Sequence, residues 1–296
     1  MPEQFKNFNK TRIAPTPSGF LHLGNVLSFA ITAALAQKSG AKILLRIDDM
    51  DRARAEEQYI QDIFDTLHFL EIPWHEGPRN AEEFNDSYSQ MHRLHLYQEA
   101  IDQLREADLV FACTCSRKQL IENACTCFEK SIPLSAPDAS WRLRTNNSHE
   151  LIIKNHNGLT ARAVLPVDMH NFIIRKKDSF PAYQLTSVVD DMHYDVDMIV
   201  RGNDLWASTL AQQELAHALG RDSFRDIAFY HHTLLTDDID QKLSKSAGAT
   251  SVRYLRENGK TPADVYMLIA RMLNIQKPIG SFIQLADEWF QQQNPA

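Results

Sequence analysis

Residue types that could do chemistry fall in three places along this chain. All four cysteines, Cys113, Cys115, Cys125 and Cys127, lie within fifteen residues in the pattern C-x-C-x9-C-x-C. In a cytosolic chain such clustering points to a metal before a disulfide, because four thiolates close a tetrahedral structural Zn2+ site with no open position for catalysis; inert buried thiols are the alternative. The second place is "HLGN", His22 to Asn25, where an apolar helix begins. A helix N-terminus offers N–H groups and a positive dipole end to phosphate, Gly24 lacks the Cβ that would block an adenosine, and His22 can donate to phosphate oxygens. A His and a Gly at a helix start serve equally well as cap and core. The third is "QKLSKS" at 241–246, a solvated loop by composition. Its Lys242 and Lys245 could stabilise the charge that an α-phosphate gains when a carboxylate attacks it, with Lys245 the closer contact.

The common phosphate loops are absent. "NGKT" at 258–261 has Tyr254 where a P-loop needs its first Gly, and no G-x-G-x-x-G occurs. The elements that must position the three places alternate between strand and helix. "TRIAPTP" reads as a short strand ended by Pro15 and Pro17, "GNVLSFAITAALAQKSG" as a helix stopped by Gly40, and "AKILLRID" as a buried strand. Together they predict one βαβ unit over 11–48. Ile60, Ile63, Phe64, Leu67 and Leu70 keep helical spacing, and a second helix is expected over about 88–106. Helical periodicity then lapses for some sixty residues, which predicts an inserted strand-and-loop module. "FIIRKKDSFPAYQLTSVV" alternates and predicts a hairpin turning near Asp178–Ser179; "VDMIVRG" predicts a strand, Leu205 to Leu219 a helix, and Thr261 with Pro262 the start of another.

The chain of 296 residues is 44% hydrophobic and 23% charged, ordinary for a soluble enzyme, and its start lacks the apolar core of a signal peptide, so the cytoplasm is expected, with no membrane partner. Its formal charge of −7 argues against coating nucleic acid. Residues 109–180, however, carry ten Lys or Arg against six acids, a local +4 that could dock a polyanion at one place; a solvated face is the plainer alternative.

"HLGN" and "KLSKS", in this order and far apart, resemble the "HIGH" and "KMSKS" elements of class I aminoacyl-tRNA synthetases. "RIAPTPSGFLHLGN", "LLRIDDMD", "FPAYQLTSVVDD" and "DMIVRGNDL" narrow the resemblance to the glutamyl-tRNA synthetase group and extend it over residues 11–246. The resemblance implies an α/β fold: a class I synthetase Rossmann-like parallel sheet with an inserted zinc-containing module and a short C-terminal helical region. The expected segments are 1–107, the first half of the catalytic domain; 108–171, the zinc module; 172–246, the second half; and 247–296, the helical end.

The same resemblance implies ligand roles. Arg12 and Arg201 would face the glutamate side chain, since two guanidinium groups prefer a γ-carboxylate to an amide through forked, charge-assisted bonds. Ala14, Thr16 and Tyr183 would line the pocket, and Asp48 would hold the α-ammonium where the family normally has Glu, its carboxylate withdrawn by roughly 1.5 Å. His22, Gly24, Asn25 and Lys245 would hold ATP, accompanied by Mg2+, with His22, Lys242 and Lys245 as catalytic residues. Fifty residues follow Ser246, and an architecture without an anticodon-reading region resembles the glutamyl-Q tRNA(Asp) synthetases. These activate L-glutamate with ATP and transfer it to the queuosine base at the wobble position of tRNA(Asp). In them the zinc ligands begin with C-x-C and continue with a Tyr and one Cys, whereas this chain supplies a second C-x-C and no Tyr between its pairs. A monomer with one structural Zn2+ is expected. The alternatives are a truncated glutamyl-tRNA synthetase charging the 3′ end of tRNA(Glu), or a silent paralogue that binds glutamate or ATP.

Overall fold

The computed structural model describes residues 7–122, 125–146, 148–235 and 251–293. Two compact units emerge: residues 1–92, 197–204 and 229–296 form the first, and 93–196 with 205–228 the second. The helices at 94–106, 183–193 and 206–218 fall in the second unit together with the inserted strands.

In the first unit the strand Lys10–Ile13 pairs in parallel with Lys42–Leu45, in register from Lys10 opposite Lys42 to Ile13 opposite Leu45. The strand ends at Ile13, earlier than "TRIAPTP" suggests, because Pro15 and Pro17 have no N–H to give a ladder. The pairing nevertheless continues in one direction: Arg46 N–H donates to Ile13 O and Asp48 N–H to Pro15 O, each at 2.9 Å. Between the strands runs the helix Leu23–Ser39, which buries Val26, Leu27, Ile31 and Leu35 among others. Apolar all round, it is an interior helix, and each such side chain contributes about 1.5–3 kcal/mol by leaving water. Gly40, left-handed at φ 73°, ends it by donating to Ala36 O. Met198–Gly202 lies alongside the first strand, with Asp197 N–H donating to Lys10 O at 3.0 Å and the Asp197 carboxylate accepting from the Asn9 and Lys10 amides. Ala228–His232 is its hydrogen-bonded neighbour. Helix Pro262–Met272 opens with a reciprocal Thr261–Asp264 box and ties to helix Glu57–Phe69 through Tyr266, whose buried hydroxyl donates to Leu70 O at 2.6 Å.

The second unit holds an antiparallel sheet of Val110–Cys113, Ser140–Leu143 and Ile173–Arg175, and a hairpin of Glu150–Asn155 with Thr160–Val164. Its helices Leu94–Glu106 and Tyr183–His193 are joined by a buried network: Arg93 forks onto Asp190 at 2.9 and 3.1 Å, and Tyr97 Oη donates to the same carboxylate at 2.7 Å.

Two sequence expectations need correction. The hairpin expected over 172–189 is only half a hairpin: its turn forms, with Ser179 at φ 71°, but pairing stops at Pro181 and Tyr183–His193 is helical. Leu185 and Val188, fully buried and three residues apart, lie on one side of that helix, so packing overrides the alternating pattern. The helix expected from residue 88 starts at Leu94. Ser89 and Gln90 are instead drawn to Asp49, whose carboxylate accepts from Ser89 Oγ at 2.6 Å and Gln90 N–H at 2.8 Å, and the intervening residues form tighter and wider single turns.

Candidate active site and metal centre

The first unit collects most of the expected ligand residues at the ends of its strands. Arg12 and Arg201 come from adjoining strands and are 7% and 3% exposed, so both guanidinium groups are withdrawn from water. Arg12 Nη1 donates to Val200 O at 3.3 Å, and the Arg201 guanidinium lies over the Phe229 ring at 5.4 Å. Burying a guanidinium costs desolvation, which charged or polar contacts must offset. Their neighbour His231 adds no third charge: burial first, and the charge of Arg201 next, hold its pKa down at about 4.

Asp48 sits at the end of the second strand and its carboxylate is already engaged. Arg46 Nε donates to Oδ1 at 2.7 Å and Nη2 to Oδ2 at 3.0 Å, both side chains being buried. The sequence did not flag this pair, although an i, i+2 spacing places both residues on one face of the extending strand. Each carboxylate oxygen has two lone pairs, so the fork orients Asp48 while leaving it able to accept from an ammonium group. Ala14 is half-buried and Thr16 exposed on the neighbouring segment. Tyr183, 44% exposed at the first position of its helix, belongs to the second unit.

The "HLGN" stretch is a capped helix start. His22 is the N-cap: its Nδ1 accepts from Gly24 N–H at 3.2 Å, and Asn25 Oδ1 accepts from His22 N–H at 3.0 Å. An accepting Nδ1 places the proton of the neutral ring on Nε2, which is the donor a phosphate would need. A Cβ on Gly24 would meet His22 Cε1 at 3.0 Å, so the glycine keeps room for the ring of its own cap as well as for a ligand. Lys242 and Lys245 lie outside the described residues. The described residues on either side both return to this helix start: Ser28 Oγ and His232 Nε2 are 2.8 Å apart, Val252 N–H donates to Leu21 O at 2.8 Å, and Ser251 bridges His22. His232 Nδ1 lies 2.9 Å from Thr233 O and must donate to it, so Nε2 accepts the Ser28 hydroxyl; burial lowers the pKa of this ring and keeps it neutral. A serine in the second turn of an apolar helix was the only sequence signal for this contact.

In the second unit the ligand atoms of Cys113, Cys115, Cys125 and Cys127 lie within 4.8 Å of one another. Cys113 and Cys125 sulfurs are 3.6 Å apart and those of Cys115 and Cys127 3.4 Å, too long for disulfides and close to the roughly 3.8 Å edge of a tetrahedron with Zn–S bonds of about 2.3 Å. Burial raises Cys127, yet donation from the Thr114 amide and the neighbouring thiols outweighs it and brings the group down to about 7, while burial and those same neighbours push Cys115 up to about 12. One thiolate forms readily and opposes the next, so only a cation lets all four ionise. The cluster fits a divalent metal such as Zn2+ as a closed structural site. No helix among the described residues is long and apolar enough to cross a membrane.

Known proteins resemble the chain over nearly all of it. Residues 9–293 match the family of tRNA synthetases class I (E and Q), catalytic domain. A glutamyl-Q tRNA(Asp) synthetase of Rhodobacter capsulatus is 30% identical, with 88% of this chain and 99% of that protein covered. A glutamate-tRNA ligase 2 of Coxiella burnetii is 29% identical over 89% of this chain, which spans 56% of that protein. Among solved structures, the glutamate-tRNA synthetase of Elizabethkingia anophelis superposes with a TM-score of 0.73 at 18% identity, covering 95% of this chain and 65% of that one, which shows the shared fold. On the family match and the Rhodobacter relative, the chain belongs to the class I tRNA synthetase (E and Q) catalytic-domain family.

Proposed function

We propose that the protein activates L-glutamate with ATP and transfers it to the queuosine base of tRNA(Asp). The observation that carries the amino-acid part is that one unit holds two buried guanidinium residues, Arg12 and Arg201, on adjoining strands, and the oriented carboxylate of Asp48 at the end of another. Two cations suit a γ-carboxylate and one carboxylate suits an α-ammonium, which together describe glutamate rather than glutamine. The choice of queuosine over a tRNA 3′ end is supported by likeness to the Rhodobacter glutamyl-Q enzyme along nearly that protein's whole length.

In the first step an oxygen of the glutamate α-carboxylate attacks the α-phosphorus of ATP, and the bond from that phosphorus to the bridging oxygen breaks to release pyrophosphate. The His22–Gly24 helix start would hold phosphate through its N–H groups and the Nε2 proton of His22, with Lys245 as the principal cation and Lys242 as a second. Mg2+ bound with ATP would share the charge of the departing pyrophosphate. In the second step a queuosine hydroxyl attacks the acyl carbon, loses its proton, and AMP leaves. No protein nucleophile is required, because positioning and charge stabilisation supply the rate. The four cysteines would carry one structural Zn2+.

Glutamate-dependent ATP–pyrophosphate exchange without tRNA tests the first step, and transfer of labelled glutamate to tRNA(Asp) with and without queuosine tests the second. Absence of exchange overturns the activation reading. Labelling of tRNA(Glu) in place of queuosine-containing tRNA(Asp) overturns the choice of acceptor.

A further inference from the structure

We propose that Phe128 and Arg144 form a stacking platform for an unpaired RNA base on the cysteine module. The inference rests on reading the chain as an enzyme that acts on RNA, and it names which chemistry of the RNA this module takes. Phe128 follows the buried Cys127 directly, yet it is 51% exposed, while the apolar packing beneath consists of Phe111, Cys113 and Cys127. A single exposed aromatic is ordinary; one met edge-on by one neighbour and capped on a face by another while still half exposed is less so. The Phe111 ring stands edge-on to it, at 5.6 Å and 78° between planes, and the Arg144 guanidinium lies 4.9 Å from its centroid. The turn that bears it is closed by Lys130 N–H to Thr126 O and Ser131 N–H to Phe128 O, each at 3.3 Å.

The cation comes from the same strand face. Arg142 sits opposite Phe111 in the antiparallel pair, and Arg144, two residues on, continues the ladder through its N–H to Leu109 O at 2.8 Å. Arg144 Nη1 also reaches Asp108 Oδ2 at 2.7 Å, but that carboxylate is 84% exposed, and such a surface pair exchanges readily for a phosphate. The local field has the same sign, since residues 109–180 carry +4 on a chain of −7. Phosphate contact alone would suit any polyanion. An aromatic face with a guanidinium beside it also takes the π-face of a base, and a base shows that face only when it is unpaired. The partner is therefore a single-stranded RNA loop, not a double helix.

The test uses the full chain and fluorescence anisotropy at fixed salt, with a labelled single-stranded RNA of about twelve nucleotides and a duplex of the same sequence. Phe128→Ala is expected to weaken single-strand binding about tenfold and to leave duplex binding within about twofold, and Phe128→Trp to restore the former. Arg144→Gln is expected to weaken both and reduce the salt slope by about one. Unchanged single-strand binding by Phe128→Ala, or an equal loss for the duplex, overturns the platform. Pyrophosphate exchange by the wild type reports separately on the activation reading, so the two can fail independently.

Discussion

Replacing Asp48 with Ala is expected to lower folding stability by about 3–5 kcal/mol, because it removes the forked carboxylate partner of the buried Arg46 guanidinium. The magnitude follows from the geometry: a forked pair at 2.7 and 3.0 Å with side chains 3% and 9% exposed. With charge centres about 4 Å apart and an effective dielectric near 20, the attraction is about 4 kcal/mol, and the cost of desolvating both ions offsets much of it. The intact pair therefore adds little net stability, whereas either half alone is a liability. Arg46→Met should cost a similar amount, and the double variant should fall short of the sum by about 3 kcal/mol or more, since it leaves neither charge buried alone. Urea unfolding followed by circular dichroism measures all four members of the cycle, with the slope checked for constancy. Additive losses, or single losses below about 1 kcal/mol, would refute the claim that the pair is a dry, coupled unit. In glutamate-dependent exchange the same variants should raise KM for glutamate more than for ATP, and Asp48→Glu, whose carboxylate reaches roughly 1.5 Å further, should restore part of it.

Gly24→Ala should separate stability from activity: a helical Ala gains about 0.5–1 kcal/mol over Gly, so Tm should hold or rise, while the Cβ at 3.0 Å from His22 raises KM for ATP in the exchange assay. Elemental analysis should find one Zn2+ per chain, and Cys127→Ser should lower that ratio and speed amide hydrogen exchange in the strands Val110–Cys113 and Ser140–Leu143. Burial and Arg201 hold His231 at about 4 against an ordinary 6.5, so between pH 6.5 and 4 the unfolded chain binds a proton that the folded chain refuses. Stability should therefore fall as pH drops through that window, by up to about 3 kcal/mol before solvent screening of a half-buried ring, and His231→Gln should flatten the fall in pH-dependent thermal unfolding. Lys245→Ala should slow adenylate formation by tenfold or more without changing zinc content.

Local chemistry made much of this protein legible before any fold was known. The βαβ start was readable because the strand, the apolar helix and Gly40 each follow from side-chain pattern and backbone sterics within about thirty residues. The cysteine cluster, which could hold a metal, was readable for a similar reason, since its four thiols lie close in sequence and their sulfurs converge. The N-cap at His22 and the Thr261 box were likewise local events. What sequence misjudged was settled by burial at a distance: Tyr183–His193 alternates like a strand but coils because Leu185 and Val188 must share one buried side, and Asp49 unwinds the expected start of the next helix from forty residues away. Charge pairing belongs to the same class. Nothing in "RIDD" says whether Asp48 faces a substrate or Arg46, and nothing in the spacing of Arg12 and Arg201 brings them onto adjoining strands. Residue types set which interactions are possible, and their spacing sets the local elements. Which buried charged groups meet, and which strands bring them together, depends on contacts nearly two hundred residues apart in sequence, and those exist only once the chain has closed.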